Sequence, residues 1–440
     1  MMTNLEKIIQ CSLSTFENEN ENYYKPLTLQ EWETVWDFNT FNPNIYNHGL
    51  HQYPARFIPQ LARKILKTFT TEQSSVLDIF SGSGTTLLEC KYLGIKNAYG
   101  IELNPFAHFM TKTKLQTLHE KDVIFELHKI KDLFLQKNIY FETVVFKNID
   151  FWYSQTSIRD LSKLLHILSN ISNVETKNFF LLAFAEITRK VSYLNHSGFK
   201  MHRSKQKIKT DFNPNVWDEF IKTVDRNINL LINHNKLIID KNSTQILIKG
   251  DSRCIHKEIP KNSIDLILTS PPYGDSKTTV AYGQYSRLPW QWLSQTDDII
   301  QLDNSLLGGN TKNIKNSILA LSKTLKKQSN AIESIDSSNR IKDVIAFYHD
   351  LYTTLTSATY YMKKNGCFVL VTGNRTVKGI KLKTDTIISE FADSLGYRTE
   401  KIYSRNILNK RMAHKNSPTN KKGKTVSTMM TENIIVLTKI

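Results

Sequence analysis

The chain has 440 residues, enough for one sizeable catalytic core and an appended or inserted lobe, since domains usually run to about 100–200 residues. Basic residues outnumber acidic ones, 58 to 41, and the formal net charge of +17 points to a polyanionic partner, nucleic acid first, rather than to an acidic small molecule. Cys11, Cys90, Cys254 and Cys367 lie far apart with no paired zinc or disulfide spacing, and neither a signal-peptide pattern nor an apolar run of membrane-spanning length is present, so a soluble, cytoplasmic protein with no metal and no membrane partner is expected.

The first forty or so residues are polar and end in the loop sequence Phe41-Asn42-Pro43-Asn44. Trp32 and Trp36, at helical spacing just before it, predict a short helical lead-in with both rings packed in a core. Next comes a strand, Ser75 to Ile79, then the turn Phe80-Ser81-Gly82-Ser83-Gly84-Thr85-Thr86, a helical stretch Leu87 to Leu93, and a second strand, Ala98 to Ile101, ending at Glu102. Strand, glycine turn, helix, strand and acid make the opening of a doubly wound α/β sheet. From about 115 to 244 the pattern changes to long amphipathic helices, exemplified by Phe179 to Ala185, which reads as an insert. Strand pattern returns at Ile246 to Ile248, Ile264 to Leu268, Cys367 to Val371 and Asn433 to Leu437, so the sheet resumes after it.

Gly82 and Gly84 would let backbone amides approach a ligand at a helix amino terminus, where partial positive charge gathers. Glu102 follows about twenty residues on, the distance at which an acid reaches ribose hydroxyls in nucleotide folds. A Gly-x-Gly turn without a third glycine argues against a plain dinucleotide site. The decisive element is Thr269-Ser270-Pro271-Pro272-Tyr273-Gly274, directly after an apolar strand. Two successive prolines stiffen the turn and withdraw their own amides, which leaves carbonyl acceptors able to hold an amino group, and Tyr273 could stack on a base taken out of a duplex.

With these two turns the sequence resembles the amino-group DNA methyltransferases, which methylate cytosine N4 or adenine N6 and whose signatures are a Phe-x-Gly-x-Gly cofactor turn and a Ser/Asp/Asn-Pro-Pro-Tyr catalytic turn. The segment His51 to Pro59 and the turn Gly250-Asp251 also look like family elements, so the resemblance covers roughly residues 48 to 275 and extends more loosely to the end. It implies a Rossmann-like methyltransferase fold, an α/β doubly wound, mostly parallel seven-stranded sheet, with S-adenosylmethionine as cofactor and duplex DNA as partner. It further implies that Asp78, Phe80, Gly82, Gly84 and Thr85 shape the cofactor site, that Glu102 binds its ribose, that Leu103 lies against its adenine and Asp251 at the adenine edge, and that Tyr53, Arg56 and Phe57 sit near the methionine tail. Ser270, Pro271, Pro272 and Tyr273 would be catalytic. Serine before Pro-Pro is commoner among the cytosine N4 enzymes, which makes cytosine N4 the expected target and adenine N6 the alternative. Attack by the amino nitrogen needs acceptors for its protons and no covalent adduct. Cytosine C5 methylation would need a cysteine following a proline, and none of the four does.

The resemblance implies a helical lead-in over 1–47, a cofactor-binding half over 48–114, a target-recognition insert over 115–244 and a catalytic half over 245–440. Inside the insert, Lys200, Arg203, Lys205, Lys207 and Lys209, flanked by Phe199 and Phe212, suit phosphate contact. A second basic run with Arg411, His414, Lys415, Lys421 and Lys422 reads as a loop that could clamp DNA, and Tyr282, Tyr285, Arg287, Trp290 and Trp292 could hold a flipped base or pack a lid helix. A role in restriction-modification, with a possible cognate restriction endonuclease, is expected. An RNA amino-group methyltransferase and a non-catalytic specificity or scaffold subunit are the other readings, the intact Ser270 to Tyr273 turn standing against the second.

Overall fold

A computed structural model of the chain describes residues 36–38, 41–196, 200–210, 212–237, 243–276, 278–312, 316–335, 340–407, 415–416, 426–427 and 429–440. Seven strands form one sheet: β1 (Ser75–Asp78), β2 (Asn97–Glu102), β3 (Thr244–Lys249), β4 (Ile264–Thr269), β5 (Met362–Thr372), β6 (Tyr397–Asn406) and β7 (Thr431–Lys439). Their order across the sheet is β3-β2-β1-β4-β5-β7-β6, with β7 antiparallel to both neighbours and the pairs from β3 to β5 parallel. The chain thus winds outward from β1 in both directions, and the carboxyl ends of β1 and β4 lie side by side at the reversal, where open α/β sheets bind ligands.

The two-residue period of the strands sorts their side chains between two cores. Leu77, Ile267, Phe368, Leu370 and Ile435 face one way, against the helices Lys323–Ile335, Arg340–Tyr361 and Thr384–Ser394. Val76, Leu266, Leu268, Val369 and Val436 face the other, against α1 (Pro59–Phe69) and α2 (Thr85–Tyr92). Because both faces are covered, the central strands are apolar throughout, as the sequence pattern requires.

Between β2 and β3 the chain is helical. Here α3 (Pro105–Leu115), α4 (Glu120–Leu135), α5 (Gln155–Ser169), α6 (Val174–Lys190), the five-residue α7 (Lys205–Lys209) and α8 (Val216–Lys236) build a third core around Leu164, Phe180, Phe184 and Phe220. Asn104, Ser154, Asn173 and Asn215 cap α3, α5, α6 and α8 by accepting from a backbone amide of the first turn, each cap contributing about 1 kcal/mol. α9 (Tyr282–Ser294), which follows the second signature turn, packs into this core through the fully buried Trp292. It therefore links the helical region to the carboxyl edge of the sheet.

Trp36 is buried against Tyr403 of β6, ring centroids 4.7 Å apart, in keeping with the core role expected for it, whereas Trp32 and nearly all of the expected lead-in lie outside the described residues. Among the described residues no helix is long and apolar enough to cross a membrane, and no cluster of histidines, cysteines and acids could hold a metal ion.

Candidate active site at the carboxyl edge of the sheet

The turn after β1 is set by two glycines in the left-handed region, Gly82 at φ 53° and Gly84 at φ 79°. Gly84 caps α2, and a Cβ on it would stand 2.5 Å from Thr111 Cγ2 of α3, so the helix-to-turn approach tolerates no side chain. At the tip of β2 the Glu102 carboxylate accepts from the amides of Gly82 at 2.6 Å and Asn104 at 2.7 Å. Burial pushes its pKa up to about 7, against the pull of those two amides.

Asp78 ends β1 fully enclosed. It accepts from Phe80 N at 3.0 Å, from Thr86 Oγ1 at 2.7 Å and from Thr269 Oγ1 at 2.7 Å. Burial raises its pKa while these donors lower it. One carboxylate thereby fastens the glycine turn, α2 and the end of β4 together.

These residues border a cleft that opens to solvent. Tyr53, Arg56, Phe57, Asp78, Phe80, Gly82, Thr85, Glu102, Leu103 and Asp251 all line it. So do Ser270 and Pro272, which puts both signature turns on one cavity. Of the other expected site residues, Gly84 shapes the turn from behind, Pro271 is buried and Tyr273 is half-buried.

Several side chains carry local duties that their spacing does not reveal. The Arg56 guanidinium donates to His48 O and Pro43 O, both at 2.7 Å, and so pins the preceding loop. Asp251 is held by Arg253, with Nε at 3.0 Å and Nη2 at 2.6 Å; burial raises its pKa, but the Arg253 hydrogen bonds and charge bring it below the usual value. Tyr53 stacks on Tyr282 at 5.7 Å, and its hydroxyl accepts from Asn104 Nδ2 at 3.0 Å. Among the α9 residues singled out, Tyr282 lines the cleft while Trp292 is core and Tyr285 lies under the Arg189 guanidinium, 4.1 Å from its ring centroid.

Behind the second turn stands a buried cluster that local sequence gives no sign of. Asp275 accepts from Arg340 Nη2 at 2.7 Å and from both terminal nitrogens of Arg375 at 3.1 Å. Burial raises its pKa, and the two arginines more than reverse that. A Cβ on Gly274 would fall 1.6 Å from Arg375 Nη1, so glycine at that position is what lets the arginine close over the turn. The partners are 65 and 100 residues away, too far for local spacing to mark the pairing.

The basic stretch divides. Lys205 and Lys209 are exposed on α7, but Lys207 turns inward, donating to Ser192 O at 2.7 Å and lying over the Phe212 ring at 4.2 Å. Burial brings its pKa down to about 8. Arg203 lies over Phe151, 4.4 Å from its ring centroid. Lys200 is exposed; Phe199, Arg411 and the rest of the second basic run lie outside the described residues, apart from the backbone of Lys415 in the short strand Lys415–Asn416.

A family model described as DNA methylase matches residues 11–113, which include the first signature turn and Glu102. The Type II methyltransferase M.MvaI of Kocuria varians is 37% identical over 424 residues, covering 91% of this chain and 92% of its own. The chain belongs to the amino-group DNA methylase family. Type II methyltransferase M.MjaII of Methanocaldococcus jannaschii is 35% identical over 132 residues, 27% of this chain and 23% of its own, and Type II methyltransferase M.BsoBI of Geobacillus stearothermophilus is 24% identical over 260 residues, 53% and 50%.

The methylase uses S-adenosylmethionine, and the cleft fits it. A Cβ added to Gly82 would stand 3.7 Å from Tyr53 Cε1, and the Ser81 hydroxyl on the wall is buried with no hydrogen-bond partner among the described residues. Glu102, apolar Phe80 and Leu103, and a glycine turn at a helix amino terminus give the wall polar and apolar surface of the kind the cofactor needs. Among the described residues, Cys90 and Cys367 are buried with raised pKa, Cys367 to about 11, and the exposed Cys254 does not border the cleft; Cys11 lies outside the described residues.

Proposed function

We propose that the enzyme methylates the exocyclic N4 of cytosine in duplex DNA, on a base turned out of the helix, as the modification partner of a cognate restriction endonuclease. The observation that carries the reading is the state of Ser270. Its hydroxyl donates to Val371 O at 3.0 Å, so its one proton is committed and its lone pairs are left as acceptors on the wall of the cofactor cleft. Bound S-adenosylmethionine supplies an electrophilic methyl group.

The amino lone pair of cytosine is delocalised into the ring and attacks poorly. Ser270 Oγ and the Pro271 carbonyl, accepting from the two amino protons, favour the tetrahedral nitrogen that attack requires, and the rigid double proline fixes both acceptors before the base arrives. The Tyr273 ring offers a stacking face for the extruded base. Glu102 holds the ribose, Leu103 and Phe80 the adenine, Asp251 its edge, and Tyr53, Arg56 and Phe57 the surroundings of the methionine tail, within a cofactor site shaped by Asp78, Gly82, Gly84 and Thr85. Serine before Pro-Pro favours cytosine over adenine by resemblance to the N4 enzymes. Type II in the names of the relatives supports the link to restriction-modification.

Duplex DNA suits the net charge of +17. The segment 115–244 serves as the target-recognition region, with Lys200, Arg203, Lys205 and Lys209 toward phosphates and Arg411 and Lys415 on a second basic run. An enzyme acting on chromosomal DNA works in the cytoplasm. Ser270→Ala tests the catalytic reading: methyl incorporation should fall roughly tenfold to a hundredfold with S-adenosylmethionine binding intact, because one preorganised polar contact to the transition state is gone. An unchanged rate would remove Ser270 from the chemistry.

A further inference from the structure

The Tyr273 side chain is anchored from outside its own turn. Its hydroxyl donates to Glu432 Oε1 at 2.8 Å, and the other oxygen of that carboxylate accepts from Arg405 Nη1 at 2.8 Å. Glu432 and Arg405 are direct cross-strand partners on β7 and β6, and the Arg405 side chain is only 3% exposed. The far side of the arginine is closed as well, Nη2 donating to Asp37 O at 3.3 Å while the Asp37 carboxylate accepts from Asn406 N at 2.7 Å. On the ring itself, a Cβ added to Gly373 at the end of β5 would fall 3.1 Å from Tyr273 Cδ2, so the ring lies close against that backbone.

A tyrosine that serves as a stacking platform needs its ring plane fixed, and a ring held only at Cβ can still turn about two torsions. Packing on Gly373 restrains one side, and a charge-assisted hydrogen bond at the far end of the ring removes most of the remaining freedom. A part-buried carboxylate that itself bonds a buried arginine cannot follow the ring if it drifts. We infer that Glu432 is a positioning residue for methyl transfer, holding the Tyr273 ring through its hydroxyl, with Arg405 locking Glu432 in place. The inference rests on the reading of Ser270 to Tyr273 as the methyl-transfer turn. It assigns work in the reaction to the antiparallel edge of the sheet and, through Asp37, to the segment before the first helix.

The test uses the full-length chain with Tyr273→Phe, Tyr273→Ala, Glu432→Gln and the Phe/Gln double variant. Tyr273→Phe removes only the hydroxyl and leaves the Glu432–Arg405 pair whole, so it remains informative if Glu432→Gln fails to fold. Tyr273→Phe should lower kcat roughly tenfold with S-adenosylmethionine affinity unchanged. Adding Glu432→Gln should cost no further rate, since both changes break one link. A Tyr273→Phe kcat within about twofold of wild type while Tyr273→Ala is inactive, or losses that multiply in the double variant, would overturn the inference. If Tyr273→Ala itself kept its activity, the methyl-transfer reading of the turn would fall, an outcome distinct from the failure of Glu432 alone.

Discussion

Thr269 donates its hydroxyl hydrogen to Asp78 at 2.7 Å across the β1–β4 pair, so the residue immediately before Ser270 is tied to the carboxylate that also braces the glycine turn. The glycine turn and the Ser270 turn thus share one buried anchor. Thr269→Val keeps the shape and removes the bond. Because the acceptor is a buried carboxylate, the change should cost about 1.5–3 kcal/mol in a denaturant titration. It should also lower kcat more than cofactor affinity, since Ser270 loses its backing. A stability loss inside experimental error would show that the link is idle.

Glu102 gives the pH dependence. Its pKa rises from 4.5 to about 7 on folding, so the stability it contributes is fully present below about 4.5 and is lost as pH climbs through about 7. That span corresponds to about 3 kcal/mol. Relative to Glu102→Gln, the wild type should lose stability across that window. Cofactor affinity should run the other way, strengthening as Glu102 ionises to accept from ribose hydroxyls and staying flat in the glutamine variant. Parallel calorimetric profiles for the two proteins would refute the assignment.

Gly84→Ala should destabilise the fold by about 2 kcal/mol or more, one part from φ 79° and the rest from the 2.5 Å approach to Thr111 Cγ2. Measured on a Thr111→Ala background, which itself loses the Thr111 Oγ1 bond to Gly82 O at 3.0 Å, Gly84→Ala should cost only the first part. No loss on that background would mean that backbone conformation at Gly84 carries no cost.

Neutralising Lys205 and Lys209 together should weaken binding to every DNA sequence and reduce the magnitude of the slope of log affinity against log salt by roughly 2, at about 0.9 for each phosphate no longer neutralised. Lys207→Gln should instead lower the melting temperature, because its ammonium is spent on Ser192 O and Lys190 O. An unchanged slope in the double variant would place α7 away from the backbone of DNA.

Much of this architecture is readable from the amino-acid sequence. Strands with both faces covered announce themselves as apolar runs, and the two signature turns are local, so β1 to β5, β7 and the cleft between Glu102 and Ser270 follow from short stretches of chain. β6 is not legible: it is an edge strand whose sequence Tyr397 to Asn406 is largely polar and exposed, which suits an edge and hides the alternation. Nor are the anchors. Asp275 with Arg340 and Arg375, and Tyr273 with Glu432, join residues 65 to 159 positions apart, and nothing in local spacing pairs a particular acid with a particular base. Lys207 shows the converse: in sequence it is one lysine among several, and only the backbone carbonyls of Lys190 and Ser192 that the fold brings to it turn it inward.

The most direct test of the central claim is the identity of the methylated base. Duplex DNA treated with the purified enzyme and S-adenosylmethionine, digested to nucleosides and resolved by mass spectrometry, should contain N4-methylcytosine, and Ser270→Ala should deplete it. N6-methyladenine in its place would overturn the choice of cytosine while leaving amino-group transfer standing. Detection of 5-methylcytosine would contradict the mechanism itself, because methylation at carbon requires a thiolate adduct, and among the described residues no cysteine borders the cleft.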